Sequence, residues 1–492
     1  MFKFFVNSEV FENLLLPGRL GANFTFDGIR RIQSVLLRGN LNQITEDYFV
    51  KLCSEHCDLY QENSRALFIC THRFFNRNEG EEEISTNLLL FSLFLQLFEV
   101  YTKRLTRSRS VDRLSTERWP GKPELDEQRK HHKTYDEDLH VQFYQERIKD
   151  LWEILCLKDD LKDRNRVWDT AFTVLKNDEK ILFPEVLKTI PPEEIILTIQ
   201  KHLKTTREGV LACIKTDGKR ISWPLGEIKP PKKIEKPKMA TNAHVLMPRK
   251  LIVISKLLYK TVARRSSTLV GAHVKIHRCN NSFLYLLSPL MSLTITKCVN
   301  TTIVTGPVHE ILRVQGCSGL NLMSLASLVL VGETWDSSLY MRTEKRPIID
   351  RRTSGNLGLY PYNVNYVGLD SDLKSWRGKS RLDFYPTPLL INPEGTNSVL
   401  VPQNSIQFSQ FFIPFLNLNI KSLTELPDEF RCELEKREEP VKAWKVFLES
   451  QDLTSEETDL VDSEVNDEFK KWLQTNNAEI KGLESLANNM KI

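Results

Sequence analysis

Several groups of residues have the types and spacing that chemistry needs. Cys53-x3-Cys57, with Cys70 and His72, supplies the sulfur and nitrogen donors that zinc prefers. Structural zinc sites take their ligands as close pairs from turns, whereas these lie in helical sequence, so buried thiols are expected. His273 and His277 are four apart on a strand, and no glutamate follows the first as a zinc protease requires. With Lys275 they form a polar outward row, expected to be solvated. Glu310, Glu333 and Asp336 are the carboxylates available for glycosidic acid–base work, but they share no common period. Gly316-Cys317-Ser318-Gly319 is followed by no helix that would complete a phosphate cradle, so it reads as a chain corner. The basic stretches Lys103 to Arg118 and Lys229 to Lys238 lack interleaved aromatics for base stacking and read as solvated linkers. No residue is therefore assigned a catalytic, cofactor-binding or metal role, and no nucleic-acid partner is expected.

The elements that would position such groups centre on one repeat. Val274-Lys275-Ile276-His277-Arg278-Cys279, Leu293-Thr294-Ile295-Thr296-Lys297-Cys298 and Leu312-Arg313-Val314-Gln315-Gly316-Cys317 share the pattern apolar-x-apolar-x-x-Cys at a step of 19 residues. Alternation within each segment marks a strand with one buried face. A strand returning at a fixed step marks a coil of a right-handed parallel β-helix, each turn stacked on the last. Aligned apolar positions then make interior ladders, and Lys275, Thr294 and Arg313 line up outside. Between the cysteine strands, Tyr285 to Leu290 and Ile303 to Val308 carry Pro289 and Pro307, 18 apart, which gives each coil a second strand and a proline corner. The coil after Cys317 is less regular. Leu322-Met323 and Val329-Leu330-Val331 read as its strands, and Trp335-Asp336 falls where a fourth cysteine corner is due.

Composition sets the frame around this repeat. With 492 residues, 41% hydrophobic and 27% charged, the chain can bury a sizeable core in about three domains. A net charge of +4 from 68 basic and 64 acidic residues gives no general attraction to nucleic acid or membrane. Nine cysteines, an odd number and scattered, fit a reducing compartment better than a disulfide framework. Leu88 to Tyr101, the most apolar run, is shorter than the ~20 residues a bilayer demands and reads as a core helix. No membrane span is expected, and cytoplasm is the default location.

In order, 1–205 reads as an α-helical domain and 206–239 as a β-hairpin and basic Lys/Pro linker. Residues 240–385 form the repeat domain, and 386–492 a C-terminal strand pair and helices. The fold class is α+β. Asp27 is placed to cap the first helix, Pro191-Pro192 to open the last helix of the helical domain, and Lys103 to His132 to form a loop. Asp217-Gly218 joins Val210–Lys215 to Ile221–Trp223 as a hairpin. Val399-Leu400-Val401 pairs with Phe411 to Phe415, and the final helix, Glu456 to Leu473, sets Leu460, Val461, Val465, Phe469 and Trp472 on one face.

Gly271 to Cys279, Tyr285 to Leu290 and Gly306-Pro307-Val308 resemble the C-CAP/cofactor C-like domain of the tubulin-folding cofactor C family. In that family the β-helix can act as a GTPase activator through an outward Gln-x-Arg motif whose arginine enters a partner's nucleotide site, worth about 10³–10⁵ in rate. The motif is usually Gln-Leu-Arg-x-His; counted without gaps from Gly316-Cys317, its arginine position falls on Leu330, its glutamine on Leu328 and its histidine on Gly332, and a one-residue slip would put Val329 at the arginine, equally without charge. The resemblance, extended to the helical half and the hairpin, implies a non-enzymatic interaction protein of the cytoskeleton. It implies action at the centrosome and spindle pole, the microtubule-organising centre, in centrosome and Golgi positioning, with effects on cell shape and migration. Its partners would be cytoskeletal or centrosomal proteins, with tubulin or a small GTPase as candidates. The alternative is a GTPase-activating protein for tubulin or an ADP-ribosylation-factor-like GTPase that uses a displaced arginine from Arg313, Arg342 or Arg346.

Overall fold

The computed structural model describes residues 4–18, 20, 24–75, 83–98, 125–156, 167–171, 173, 175–177, 190–204, 212–214, 216–217, 220–221, 250–366, 368–376, 383–400, 411–412, 427–451 and 454–475. The chain divides into two compact units. The first comprises Met1–Val210 with Asp350–Arg352 and Leu389–Thr396, and the second Leu211–Ile349, Thr353–Pro388 and Asn397–Ile492. The basic stretches Lys103 to Arg118 and Lys229 to Lys238 lie outside the described residues.

The first unit is mainly helical: Ser8–Leu14, Phe26–Gly39, Glu46–Cys57, Gln61–Phe75, 86–98, Leu125–Leu155 and Pro192–His202. Its aromatic core stacks Phe11 on His140 at 4.1 Å, with Phe98 and Phe143 edge-on around them. Helix 86–98 is buried along nearly its whole length, and Gln96, one of several buried polar side chains on it, has a structural task. Gln96 accepts from the Leu16 N–H at 3.1 Å and donates to the Leu14 carbonyl at 2.9 Å, which closes the end of the first helix. No described helix is long and apolar enough to cross a membrane. Pro192 occupies the first turn of its helix as expected. The cap of Phe26–Gly39 is Thr25, whose hydroxyl accepts from the Gly28 N–H; Asp27 sits inside the first turn instead. Of the expected loop from Lys103 to His132, residues 125–132 are helix instead, and residues 103–124 lie outside the described residues. Asn63, Asn392 and Asp350, all buried, tie the unit's distant segments together. Asn63 Nδ2 donates to Asn392 Oδ1 at 2.9 Å, and Asn392 Nδ2 donates to Asp350 Oδ1 at 2.8 Å.

The second unit is a parallel β-solenoid of about six turns followed by two helices, Asp428–Ser450 and Ser455–Thr475. One sheet runs through Ala212–Ile214, Leu251–Ser255, Ala272–His277, Leu290–Thr296, Val308–Gln315 and Asn321–Gly332. A second stacks Thr261–Arg264, Phe283–Leu286, Thr302–Thr305, the start of Asn321–Gly332, Trp335–Thr343 and Gly355–Pro361. Register makes the interior ladders explicit. Ile252, Val274, Leu293, Leu312 and Val329 form one column, and Ile254, Ile276, Ile295, Val314 and Val331 another. All are buried, each contributing about 1.5–3 kcal/mol.

Each cysteine corner is an arch between two residues in left-handed backbone. Arg278 (φ 53°) and Asn281 (φ 47°) flank Cys279-Asn280, Lys297 (φ 53°) and Asn300 (φ 47°) flank Cys298-Val299, and Gly316 (φ 66°) and Gly319 (φ 63°) flank Cys317-Ser318. The thiols point inward, and each donates to the carbonyl two residues back: Cys298 to Thr296 at 3.5 Å, Cys317 to Gln315 at 3.5 Å. Thr334 takes the fourth place in that column and sends its hydroxyl to the Gly332 carbonyl at 2.9 Å. A small side chain with one donor is what the corner selects. At the proline corner, a Cβ on Gly306 would lie 2.5 Å from the Ser288 carbonyl oxygen, so only glycine lets those coils close.

Three strand expectations are revised. Asn321–Gly332 is one continuous strand that bends through both sheets, because Ser324 to Ser327 lacks the proline or glycine that breaks the earlier coils. Ala212–Ile214 is a rung of the solenoid, parallel to Leu251–Ser255, and the hairpin shrinks to Thr216–Asp217 against Arg220–Ile221 around Gly218, itself outside the described residues. Val399–Leu400 and Phe411–Phe412 do not pair with each other among the described residues; they extend Gly355–Pro361 and Val364–Asn365.

Ile295→Ala would open a cavity at the centre of the second ladder. The expected loss is about 2–4 kcal/mol, read as a lower urea midpoint for the solenoid by circular dichroism.

Candidate functional site

The outward columns of the first sheet carry the positions that the family resemblance singles out. Lys275, Thr294, Arg313, Leu330 and Ile348 stand in strict register. The column begins polar and half-buried and ends apolar and fully buried at Leu330 and Ile348. Beside it, His273 pairs with Ser292 and Ile311 with Leu328, all four of them buried. The outer face over the later coils is therefore covered, with no cation at Leu330 and no amide at Leu328.

The nearby arginines have other settings. Arg313 is one rung from Leu330, about 4.8 Å away in backbone spacing, and half-buried. Arg342 sits on the second sheet, opposite Leu325. Its charge lowers the pKa of Asp383, which burial raises more strongly. Arg346 donates to the Thr387 carbonyl at 2.9 Å and the Pro388 carbonyl at 3.2 Å.

The histidine row is only partly solvated. His273 is buried, its Nδ1 2.7 Å from the Ser292 hydroxyl, and His277 Nδ1 is 2.7 Å from the Thr296 hydroxyl one coil on. These are rung-to-rung staples, replacing the solvated row expected of them. Cys53, Cys57 and Cys70 are buried thiols, as expected. Burial pushes the Cys57 thiol up to about 12 and raises that of Cys53 as well. Among the described residues no three His, Cys, Asp or Glu side chains converge to hold a metal. Glu333 and Asp336 are exposed left-handed corner residues in different columns, and Asp336 accepts from Asn356 at 2.6 Å.

One cluster went unread in the sequence. Ala263, Tyr285, Leu287, Val304 and Leu325 point out from the second sheet, and a strap folds over them with Tyr362, Val364, Tyr366, Leu369 and Trp376. The strap is pinned by Arg265, whose guanidinium reaches Asp372 Oδ2 at 3.0 Å and Oδ1 at 3.3 Å and donates to the Leu287 carbonyl at 3.0 Å. Tyr366 donates to the same carboxylate at 2.9 Å. Burial, then the neighbouring Tyr362 and Asp372, hold its hydroxyl protonated for that bond. The alternation Tyr362, Val364, Tyr366 was the available signal.

Residues 271–383 match the family model described as Tubulin binding cofactor C. That match lies within the solenoid. Curated relatives extend the likeness beyond it. The rat protein named TBCC domain-containing protein 1 is 31% identical over 300 residues, covering 59% of this chain and 51% of that one. The human protein of that name is 27% identical over 439 residues, covering 80% and 76%. The bovine one is 28% identical over 437 residues, with the same coverage of 80% and 76%. The chain thus spans about half the length of the rat relative it matches. The helical half, the solenoid and the C-terminal helices accord with a tubulin-cofactor-C-like protein.

The cofactor C domain as matched starts at Gly271, so Leu251–Ser255 and Thr261–Arg264 are coils that continue its ladders beyond its edge. Arg265 belongs to that extension and Asp372 to the domain, so the clamp fastens one to the other. The Asp372 side chain is 8% exposed and that of Arg265 31%. Asp372→Ala would leave the guanidinium and the Tyr366 hydroxyl short of an acceptor, at a cost of about 3 kcal/mol. A drop of roughly 6–12 °C in the solenoid's melting temperature is expected, with faster protease cleavage within residues 361–376.

Proposed function

We propose that the chain is a non-enzymatic cytoskeletal interaction protein in which the cofactor C solenoid is a rigid platform for partner proteins. The observation that carries this is Leu330. On the ungapped count it takes the family's arginine position; it has no charge to offer a transferring phosphoryl group and is fully buried. The likeness to TBCC domain-containing protein 1 supports the finer reading, which is action at the centrosome and spindle pole in positioning the centrosome and Golgi, with effects on cell shape and migration. A family named for tubulin binding makes tubulin the first partner to try.

One observation favours a second reading, a GTPase activator with a displaced arginine. Arg313 faces the same way as Leu330 from one rung before it. A finger must sit within about 1 Å of its working geometry, and a rung is several times that. The platform reading is preferred for this reason.

The test uses the full chain, because the first unit includes Asp350–Arg352 and Leu389–Thr396 and a cut near residue 240 would divide it. A fluorescently tagged chain should concentrate at the centrosome, and its depletion should scatter the Golgi and displace the centrosome. Uniform distribution with normal organelle positions would count against the centrosomal role.

A further inference from the structure

The cysteine corners present two exposed columns that the reading above does not use. Register and corner hydrogen bonds stack Lys256, Arg278 and Lys297 at the first left-handed position of successive coils. All three are exposed, and none makes an ion pair among the described residues. On the other side of the buried cysteine column, Leu258, Asn280, Val299, Ser318 and Trp335 form a continuous bridge ladder. Within it Leu258 is 52%, Val299 40% and Trp335 43% exposed. A row of cations beside apolar side chains left uncovered on alternate rungs is the chemistry of a docking strip, since solvation alone asks only for the charges.

Backbone strain adds a second observation. The position held by Lys256 (φ 56°), Arg278 (φ 53°) and Lys297 (φ 53°) is one that L side chains rarely adopt, and glycine fills it one coil later at Gly316. Three consecutive coils keep a long basic side chain where the fold would accept glycine or asparagine more easily. Strain retained in this way at an exposed position points to use of the side chains. Glu333 follows two rungs beyond Lys297, so the basic strip has a defined end.

We propose that this corner strip docks an extended acidic peptide segment of a partner protein, its carboxylates on Lys256, Arg278 and Lys297 and an apolar residue against Val299 and Trp335. The spacing suits it. Two rungs span about 9–10 Å, and residues i and i+3 of a segment in the extended polyproline-II conformation share a face about 9 Å apart, so acidic residues at that separation meet the two lysines with Arg278 between them. The strip deepens the platform reading and rests on it only for the idea that the solenoid binds proteins.

The experiment is a fluorescence-anisotropy titration of the full chain with a short glutamate-rich peptide carrying one phenylalanine, and with its lysine-rich counterpart. The wild-type chain should bind the acidic peptide alone, and more weakly as salt rises. The triple variant K256N/R278N/K297N should bind about tenfold more weakly. Asparagine holds left-handed backbone at Asn281 and Asn300, so its circular dichroism and melting temperature should match the wild type. Trp335→Ser, outside the strained column, gives a second reading and should also weaken binding. No binding by the wild type, or equal binding by wild type and both variants, overturns the strip. A chain that reaches the centrosome yet ignores the acidic peptide would lose this proposal and keep the platform; loss of both results would remove both.

Discussion

Coil-on-coil hydrogen bonding between parallel strands decides where every side chain of the solenoid goes. Because rungs sit about 4.8 Å apart and in register, residue types repeat as columns, and a column is inward or outward as a whole. The interior columns of Val, Leu and Ile supply most of the favourable burial. The cysteine column survives at the corner because a thiol is small and still donates to the carbonyl two residues back, as the Thr334 hydroxyl does in its turn. Each corner also asks two residues per coil to accept left-handed backbone, at about 1–2 kcal/mol for a residue other than glycine. That cost is met by the ladders on either side.

The same columns show how an outward position can change without disturbing the fold. An outward position is free to change provided its row stays compatible with what lies over it. Lys275, Thr294 and Arg313 are half-buried polar residues, while Leu330 and Ile348 in the same row are fully buried. An arginine at residue 330 would be a buried cation without an assigned counter-charge, a costly arrangement. Leucine there belongs to an apolar cover. The second sheet makes the point with its own cover: the strap from Tyr362 to Trp376 turns an outer face into core, and one carboxylate, Asp372, fastens it.

Much of this was legible because the corner residues recur at one step. His273 and Ser292, 19 residues apart, and the pairs around them follow the repeat as read. Legibility failed where the step changed to 17, as between Leu320 and Ser337, since no proline marks where Asn321–Gly332 turns from one sheet to the other. It failed at Ala212–Ile214, whose sequence suits a hairpin and whose partner, Leu251–Ser255, lies far along the chain. The histidines were read as solvated because alternation reports inward or outward, and being outward is no guarantee of water when another layer covers the sheet. The Arg265–Asp372 clamp joins residues 107 apart, a pairing that no local pattern announces.

The central proposal is that the solenoid serves as a platform without a phosphoryl-transfer element. Single-turnover GTP hydrolysis by tubulin and by purified ADP-ribosylation-factor-like GTPases, with and without the full chain, tests this most directly. The account predicts equal rates in the presence and absence of the chain. Acceleration that disappears in Arg313→Ala, with the fold intact, would contradict it.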